Sequence, residues 1–224
     1  MQKIKFVKIP NSVFFNLDLS IGAKLLFPLI YFLDKKKNCF ASNRFFAGIL
    51  QVSIRNITRY IDELERAGLI EVDVFRYKDR KKPVKSRRKI KTIIDVDYKF
   101  VKVPMFVLQD QLILTNNQKL LLLYILRFRN GCSINTERIA GLFDLNIEVV
   151  RRNIKELLHL RILHKTESNR LLRGENFKNY ERLIHEKIRK KEFVKATVNG
   201  KNYWKERTDR ISTEHSCSST TGHE

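Results

Sequence analysis

A pentapeptide recurs in this chain, and it constrains the fold more than any other feature. Phe6-Val7-Lys8-Ile9-Pro10 is echoed 94 positions later by Phe100-Val101-Lys102-Val103-Pro104. Each is followed by a short polar stretch and then an apolar helix. The first begins at Leu19-Ser20-Ile21-Gly22-Ala23-Lys24-Leu25-Leu26, the second at Leu114-Thr115-Asn116-Asn117-Gln118-Lys119-Leu120-Leu121. Ser20 and Thr115 are natural N-caps, because a hydroxyl accepts from the amides that a helix start leaves free. Farther along the offset becomes 93. Cys39 then aligns with Cys132, Ala47 with Ala140, Leu50 with Phe143, Arg59 with Arg152, Ile61 with Ile154, Glu63 with Glu156 and Leu64 with Leu157. Matches that keep their order and spacing predict two copies of one unit of about 90 residues, so any motif in one is expected in the other.

The motif in the first copy is a pair of capped helices. Ser42 precedes a short helix, Asn43–Leu50, with Phe46, Ile49 and Leu50 on one side. Gln51-Val52 makes a turn, and Ser53 caps a second helix running to about Ala67, where Ile57, Ile61 and Leu64 form a buried stripe. Gly68 supplies the left-handed residue that ends it. Residues 69–74 then alternate apolar and polar, as a strand does. Opposite the stripe lie Arg55, Asn56 and Arg59, with Ser53 near the start. Those residue types suit a major groove: arginine donates twice to guanine, asparagine pairs with adenine, and hydroxyls hold phosphates. The N-terminal part of such a helix is the part that reaches base edges.

Charge points the same way. The chain carries a formal net charge of +21 with a sequence pI near 10.1. Almost half of that excess sits in residues 76–91, which hold ten basic residues and one acidic. The expectation is a polycationic loop between two strands, the second at 90–97, forming a wing whose Arg80, Lys81, Lys82, Lys85, Arg87, Arg88 and Lys89 grip phosphates or enter the minor groove. If about six of these cations neutralise phosphates, affinity falls by roughly a thousandfold between 50 and 200 mM salt. When free, such a charge run is also expected to be solvated and mobile until DNA orders it.

In the second copy a helix over 135–143 turns at Asp144-Leu145 into a helix capped by Asn146. Val150, Ile154 and Leu157 form its stripe, with Arg151, Arg152 and Lys155 toward the other face as further DNA contacts. The alternative use of this copy is dimerisation. Its wing, residues 164–170, is short and mixed in charge. A helix is expected over 175–191 and a hairpin around Asn199-Gly200, between Phe193–Val198 and 202–204. The fold class expected is therefore α+β, mainly helical: two tandem winged helix-turn-helix domains with small β-hairpin wings. The first spans 1–98 with its basic wing at 76–91 and the second spans 99–174. A C-terminal helix and hairpin take up 175–207, and a disordered Ser/Thr-rich tail runs over 208–224.

Catalytic chemistry finds no foothold. No Gly-rich loop ends in GK[ST], and no close pair of Cys or His has zinc spacing; His215, Cys217 and His223 lie in the tail, and His159 and His164 read as surface residues. Asp62-Glu63 and Asp95/Asp97 read as partners of neighbouring cations. No enzyme activity, metal or cofactor is expected. Three scattered cysteines (Cys39, Cys132, Cys217) do not form a disulfide framework. The longest apolar run, 120–126, is too short to cross a bilayer, and the charged N-terminus does not read as a signal peptide. A cytoplasmic, nucleoid-associated protein without membrane partners is expected.

The first copy resembles the N-terminal winged-helix domains of plasmid replication initiators and phage replisome-organiser proteins. The resemblance lies in Phe6-Val7-Lys8-Ile9-Pro10, Leu19-Ser20 with Ala23-Lys24-Leu25-Leu26, and Ala41-Ser42 with Phe46-Ala47. It continues in Val52-Ser53-Ile54-Arg55-Asn56-Ile57-Thr58-Arg59-Tyr60-Ile61 and Leu64-Glu65-Arg66-Ala67-Gly68-Leu69-Ile70. It covers about a third of the chain and implies DNA contacts at Ser53, Arg55, Asn56 and Arg59. Gln51 stands where that family usually has glycine. The expected function is sequence-specific binding of double-stranded DNA to initiate replication of a plasmid, phage or other mobile element. A homodimer and the replication or transcription machinery are partners left open. Three alternatives stand beside it: a winged-helix transcription regulator, a protein-interaction adaptor, and an RNA or membrane-surface binder using 76–91 alone.

Overall fold

A computed structural model of the chain describes residues 6–79, 82–94, 99–109, 114–189, 193–198 and 201–206. The described chain forms two compact units, which divide after His185. In the first unit, strand β1 (Phe6–Pro10) leads into a one-turn helix α1 (Asn11–Phe14), then α2 (Ile21–Lys37), α3 (Asn43–Leu50) and α4 (Ile54–Arg66). A hairpin of β2 (Ile70–Asp79) and β3 (Lys82–Thr92) follows. The order then repeats with β4 (Phe100–Pro104), α5 (Met105–Leu108), α6 (Asn116–Leu126), β5 (Cys132–Ser133), α7 (Thr136–Phe143) and α8 (Ile147–His159). Next come β6 (Leu163–Lys165), β7 (Arg170–Arg173) and α9 (Glu175–Arg189), the last of which runs past the division between units. In the second unit β8 (Phe193–Val198) pairs antiparallel with β9 (Lys201–Glu206). The expected turn at Asn199-Gly200 and the tail from 208 lie outside the described residues, as do Arg80, Lys81 and 95–98.

Helices α2 and α6 are the centre of the first unit. Both are apolar on nearly every side, with Leu25, Leu26, Phe27 and Ile30 buried in α2 and Leu120 through Ile125 buried in α6. A helix without a polar face has to be surrounded. These two pack on each other and on the helices that follow them, α2 on α3 and α4, α6 on α8. Each is capped as its sequence requires: the Ser20 hydroxyl accepts from the Ala23 amide, and Thr115 with Gln118 completes a capping box.

The repeated pentapeptides pair with each other, which their sequence does not announce. β1 and β4 run antiparallel, with Phe6 opposite Pro104, Lys8 opposite Lys102 and Pro10 opposite Phe100. This register is self-complementary about the Lys8–Lys102 pair, as in a twofold contact between two subunits. Two like charges face each other there, an unfavourable cross-strand pair. Each ammonium instead lies over the other strand's phenylalanine, Lys8 4.2 Å from the Phe100 ring and Lys102 5.3 Å from the Phe6 ring. Phe14 and Phe15, from the first half, also pack edge-on and stacked against Phe143 of α7.

The wing departs from expectation. Residues 76–89 are for the most part not a loop: β2 runs on to Asp79 and β3 begins at Lys82, paired from Ile70–Thr92 outward to Tyr77–Lys85, with a bulge before Asp79–Lys82. The returning strand ends at Thr92, earlier than the residue 97 expected. The sequence of the outer part, 76–89, lacks the apolar-polar alternation that marks a strand. In the second half the sheet has three strands in the order β5-β7-β6, and the counterpart of β5 in the first half is reduced to a single bridge between Cys39 and Ile90.

Candidate nucleic-acid interface

Helix α4 has one buried side, made by Ile57, Tyr60, Ile61 and Leu64. Tyr60 fixes its distance from α2: a Cβ added at Gly22 would lie 2.0 Å from the Tyr60 ring, so only glycine allows this approach. The start of α2 also holds α4 by a polar tie, the Ser20 hydroxyl donating to Glu63 at 2.5 Å. The second half uses the same tie with different atoms, Gln118 Nε2 donating to Glu156 at 2.5 Å. These contacts aim the opposite side of α4 at solvent. Arg55 and Arg59 are exposed there and Asn56 is half-exposed. None of the three is in an ion pair among the described residues, and the Arg59 guanidinium lies 5.4 Å from the neighbouring Tyr60 ring. The Ser53 hydroxyl accepts from the Asn56 amide as the N-cap and keeps its own proton free to donate.

The turn before α4 is tight because Gln51 adopts a left-handed conformation, φ 54°, and Asp144 does the same in the second half at φ 51°. That is the geometry for which glycine is favoured. In α8, Arg151, Arg152 and Lys155 are exposed, but Arg151 pairs with Glu148 at 2.6 Å. Beside α4 the wing root is pinned. Asp34 accepts from both the amide and the hydroxyl of Thr92, and the Cys39 carbonyl accepts from the Ile90 amide.

The expected phosphate contacts of the wing separate. Arg88 shares the face of Ile90, which is fully buried, and turns onto α3: its Nη2 donates to the Ala41 carbonyl at 3.1 Å and to Asn43 Oδ1 at 2.8 Å. Burial lowers its pKa, opposed by the charge of the Cys39, Asp62 and Glu65 side chains. Asn43 in turn donates to Thr58 Oγ1, whose hydroxyl donates to the Ile54 carbonyl. A line of hydrogen bonds thus connects the wing to the first turn of α4. Arg87 is exposed and Lys89 half-exposed on the opposite face. Lys82 and Lys85 occupy β3 at the outer end of the ribbon, opposite Asp79 and Tyr77, while Arg80 and Lys81 lie outside the described residues. Lys91 at the root is held charged, its pKa raised by the hydrogen bond it donates to Asp73 and by the charges of Asp73 and Glu71.

Sequence reasoning passed over Ile54. Its spacing places it in the Ile57–Ile61–Leu64 stripe, yet it is 52% exposed, because the first turn of α4 projects beyond the helices that cover the rest. Ile147, at the same place in α8, is 37% exposed. Apolar groups at such a position suit the thymine methyl in the major groove.

Residues 17–70 match the helix-turn-helix domain family. The match spans α2, α3 and α4, the elements that build the face just described. No curated protein and no solved structure matches the chain. The helix-turn-helix domain is a module of DNA-binding type. Among the described residues no group of three or more His, Cys, Asp or Glu could hold a metal ion, and no helix is long and apolar enough to cross a membrane.

Proposed function

We propose that the chain is a sequence-specific double-stranded DNA-binding protein with two tandem winged helix-turn-helix domains, and that it initiates replication of a plasmid, phage or other mobile element. The observation that carries DNA binding is the solvent side of α4: Arg55, Asn56 and Arg59 stand together there without ion-pair partners among the described residues, next to the ribbon of segment 76–91, whose sequence carries ten basic residues. Arg55 and Arg59 would read guanines, Asn56 an adenine, and the Ser53 hydroxyl a phosphate at the helix start. Lys82, Lys85, Arg87 and Lys89, together with Arg80 and Lys81, would follow the flanking backbone. Arg88 would act differently from its neighbours by holding the ribbon against α3. The second half supports the tandem reading by its matching order of elements, and Arg152 and Lys155 would supply its weaker contacts, with Arg151 shared with Glu148. The initiator role rests on the resemblance of the first half.

Selection from a random duplex pool at near-physiological salt tests this reading. The wild-type chain should enrich one motif, and Arg55→Ala/Arg59→Ala should lose that motif while keeping nonspecific binding. A pool that emerges unenriched, or a double variant that enriches the same motif as the wild type, would refute it. Footprinting then separates the roles: repeated sites at an origin mark an initiator, and one operator across a promoter marks a repressor.

A further inference from the structure

The strongest unassigned feature lies in the second half, away from the N-terminal turns of α4 and α8. A groove of about 1060 Å³ opens between the end of α6, the turn after α8, the β6–β7 strands and the start of α9. Arg129, Arg161, His164, Lys165 and Lys178 are exposed along it, and none is in an ion pair among the described residues. Glu175 is the one carboxylate among the described residues of its wall. Two more arginines at the groove are turned onto the protein: Arg127 lies 4.7 Å from the Phe15 ring, and Arg173 pairs with Glu181 at 3.8 Å.

Arg161 holds a conformation that argues for a use. It occupies the position that Gly68 occupies at the end of α4, with the same hydrogen bonds around it: Gly68 N to Glu65 O and Leu69 N to Leu64 O, against Arg161 N to Leu158 O and Ile162 N to Leu157 O. Both residues are left-handed, Gly68 at φ 68° and Arg161 at φ 53°. Glycine adopts that geometry freely, and a residue with a side chain does so at a cost. The second half accepts the cost and thereby gains a guanidinium at the groove. The turn is also rigid. The Arg161 carbonyl accepts from the Asn176 amide at 3.0 Å, and a Cβ at Gly174 would lie 2.2 Å from that same oxygen.

We infer that this groove seats a segment of single-stranded nucleic acid. Its volume is on the scale of pockets that enclose a small ligand, roughly 300–1,000 Å³, a size that a short stretch of one strand fills. Arg129, Arg161, Lys165 and Lys178 face the phosphodiester backbone. Phe128, 44% exposed on the same wall, offers the ring on which a base stacks. Leu163 and Leu171 are buried beneath, Leu126, Leu158 and Leu172 are half-buried, and Phe128 is the exposed apolar side chain of the described lining, which offers a base a ring face beside the cations.

The test uses the full chain and a fluorescein-labelled oligothymidylate of about 12 nucleotides, a length within single-strand site sizes, titrated by anisotropy. Arg161→Gly copies the first half and so folds at least as stably as the wild type. It should weaken oligothymidylate binding several-fold and lower the log–log salt slope by about 0.7. Phe128→Ala should weaken it by about fivefold or more. Arg55→Ala/Arg59→Ala should leave it unchanged, so failure of the duplex assignment and failure of this one are distinguishable. The inference is overturned if Arg161→Gly and Phe128→Ala bind oligothymidylate like the wild type. It is equally overturned if they weaken duplex binding as much, or if a glutamate-rich peptide displaces the strand at equal charge concentration.

Discussion

Arg87, Arg88 and Lys89 follow one another in the chain, but a strand sends successive side chains to opposite faces. Arg87 and Lys89 therefore stay toward solvent while Arg88 meets Ala41 and Asn43. A partly buried guanidinium with two acceptors stabilises the wing root, and losing hydrogen bonds to a charged group costs about 1.5–3 kcal/mol. Arg88→Ala should accordingly lower the thermal midpoint. In a double-mutant cycle Arg88→Ala and Asn43→Ala should be non-additive, and additive losses in denaturant titrations would separate the two residues. Strain at the helix turns gives a prediction of opposite sign. Gln51 and Asp144 are left-handed without being glycine. Gln51→Gly should stabilise the fold by about 0.5–1 kcal/mol, partly offset by the freedom glycine gains in the unfolded chain. A small upward shift in melting temperature is the readout, and a fall would show that the Gln51 side chain contributes more than its strain removes.

At the scale of elements, the position of α4 follows from what touches its buried side. α2 can approach because Gly22 has no side chain where the Tyr60 ring lies. Gly22→Ala should destabilise the fold by about 1–3 kcal/mol through overpacking, and Gly22→Ala/Tyr60→Leu should recover part of that loss. If the double variant is no better than the single one, the contact with Tyr60 is not what matters. The helices themselves were legible: Ser42, Ser53 and Asn146 each cap the helix that their sequence marks, while Asn135, read as the first residue of its helix, is its cap. The ribbon was not. Its outer residues, 76–89, are charged at both odd and even positions, so nothing in their pattern distinguishes a pair of long strands from a solvated loop.

At the scale of the whole molecule, the first unit closes around contacts between sequence-distant halves. Lys24 of α2 is 2% exposed, with its ammonium 5.7 Å from the ring of Phe143 in α7. Burial lowers its pKa below the ordinary lysine value. The unfolded chain then binds more protons than the folded one in the interval between the two pKa values, so stability rises as pH climbs through that interval. Lys24→Met, which keeps the stem and removes the charge, should match or exceed the wild type near neutral pH. The gap between the two should narrow as the medium becomes alkaline. Parallel pH-dependent melting curves for both proteins would show that the Lys24 charge is not penalised in the fold.

The sequence by itself determined what local rules govern: capped helices, buried stripes, the tight turn, the end of α4 at Gly68 and the concentration of charge near the wing. Those features depend on residues a few positions apart, where spacing and backbone preference decide. The tertiary structure alone decided that β1 pairs with β4, that Arg88 faces inward while Arg87 does not, that Ile54 stays exposed, and that Arg161 joins Arg129 and Lys178 at one groove. Each of these depends on which distant surface arrives beside a residue, and that is settled by how α2 and α6 bury their apolar sides against their neighbours and each other.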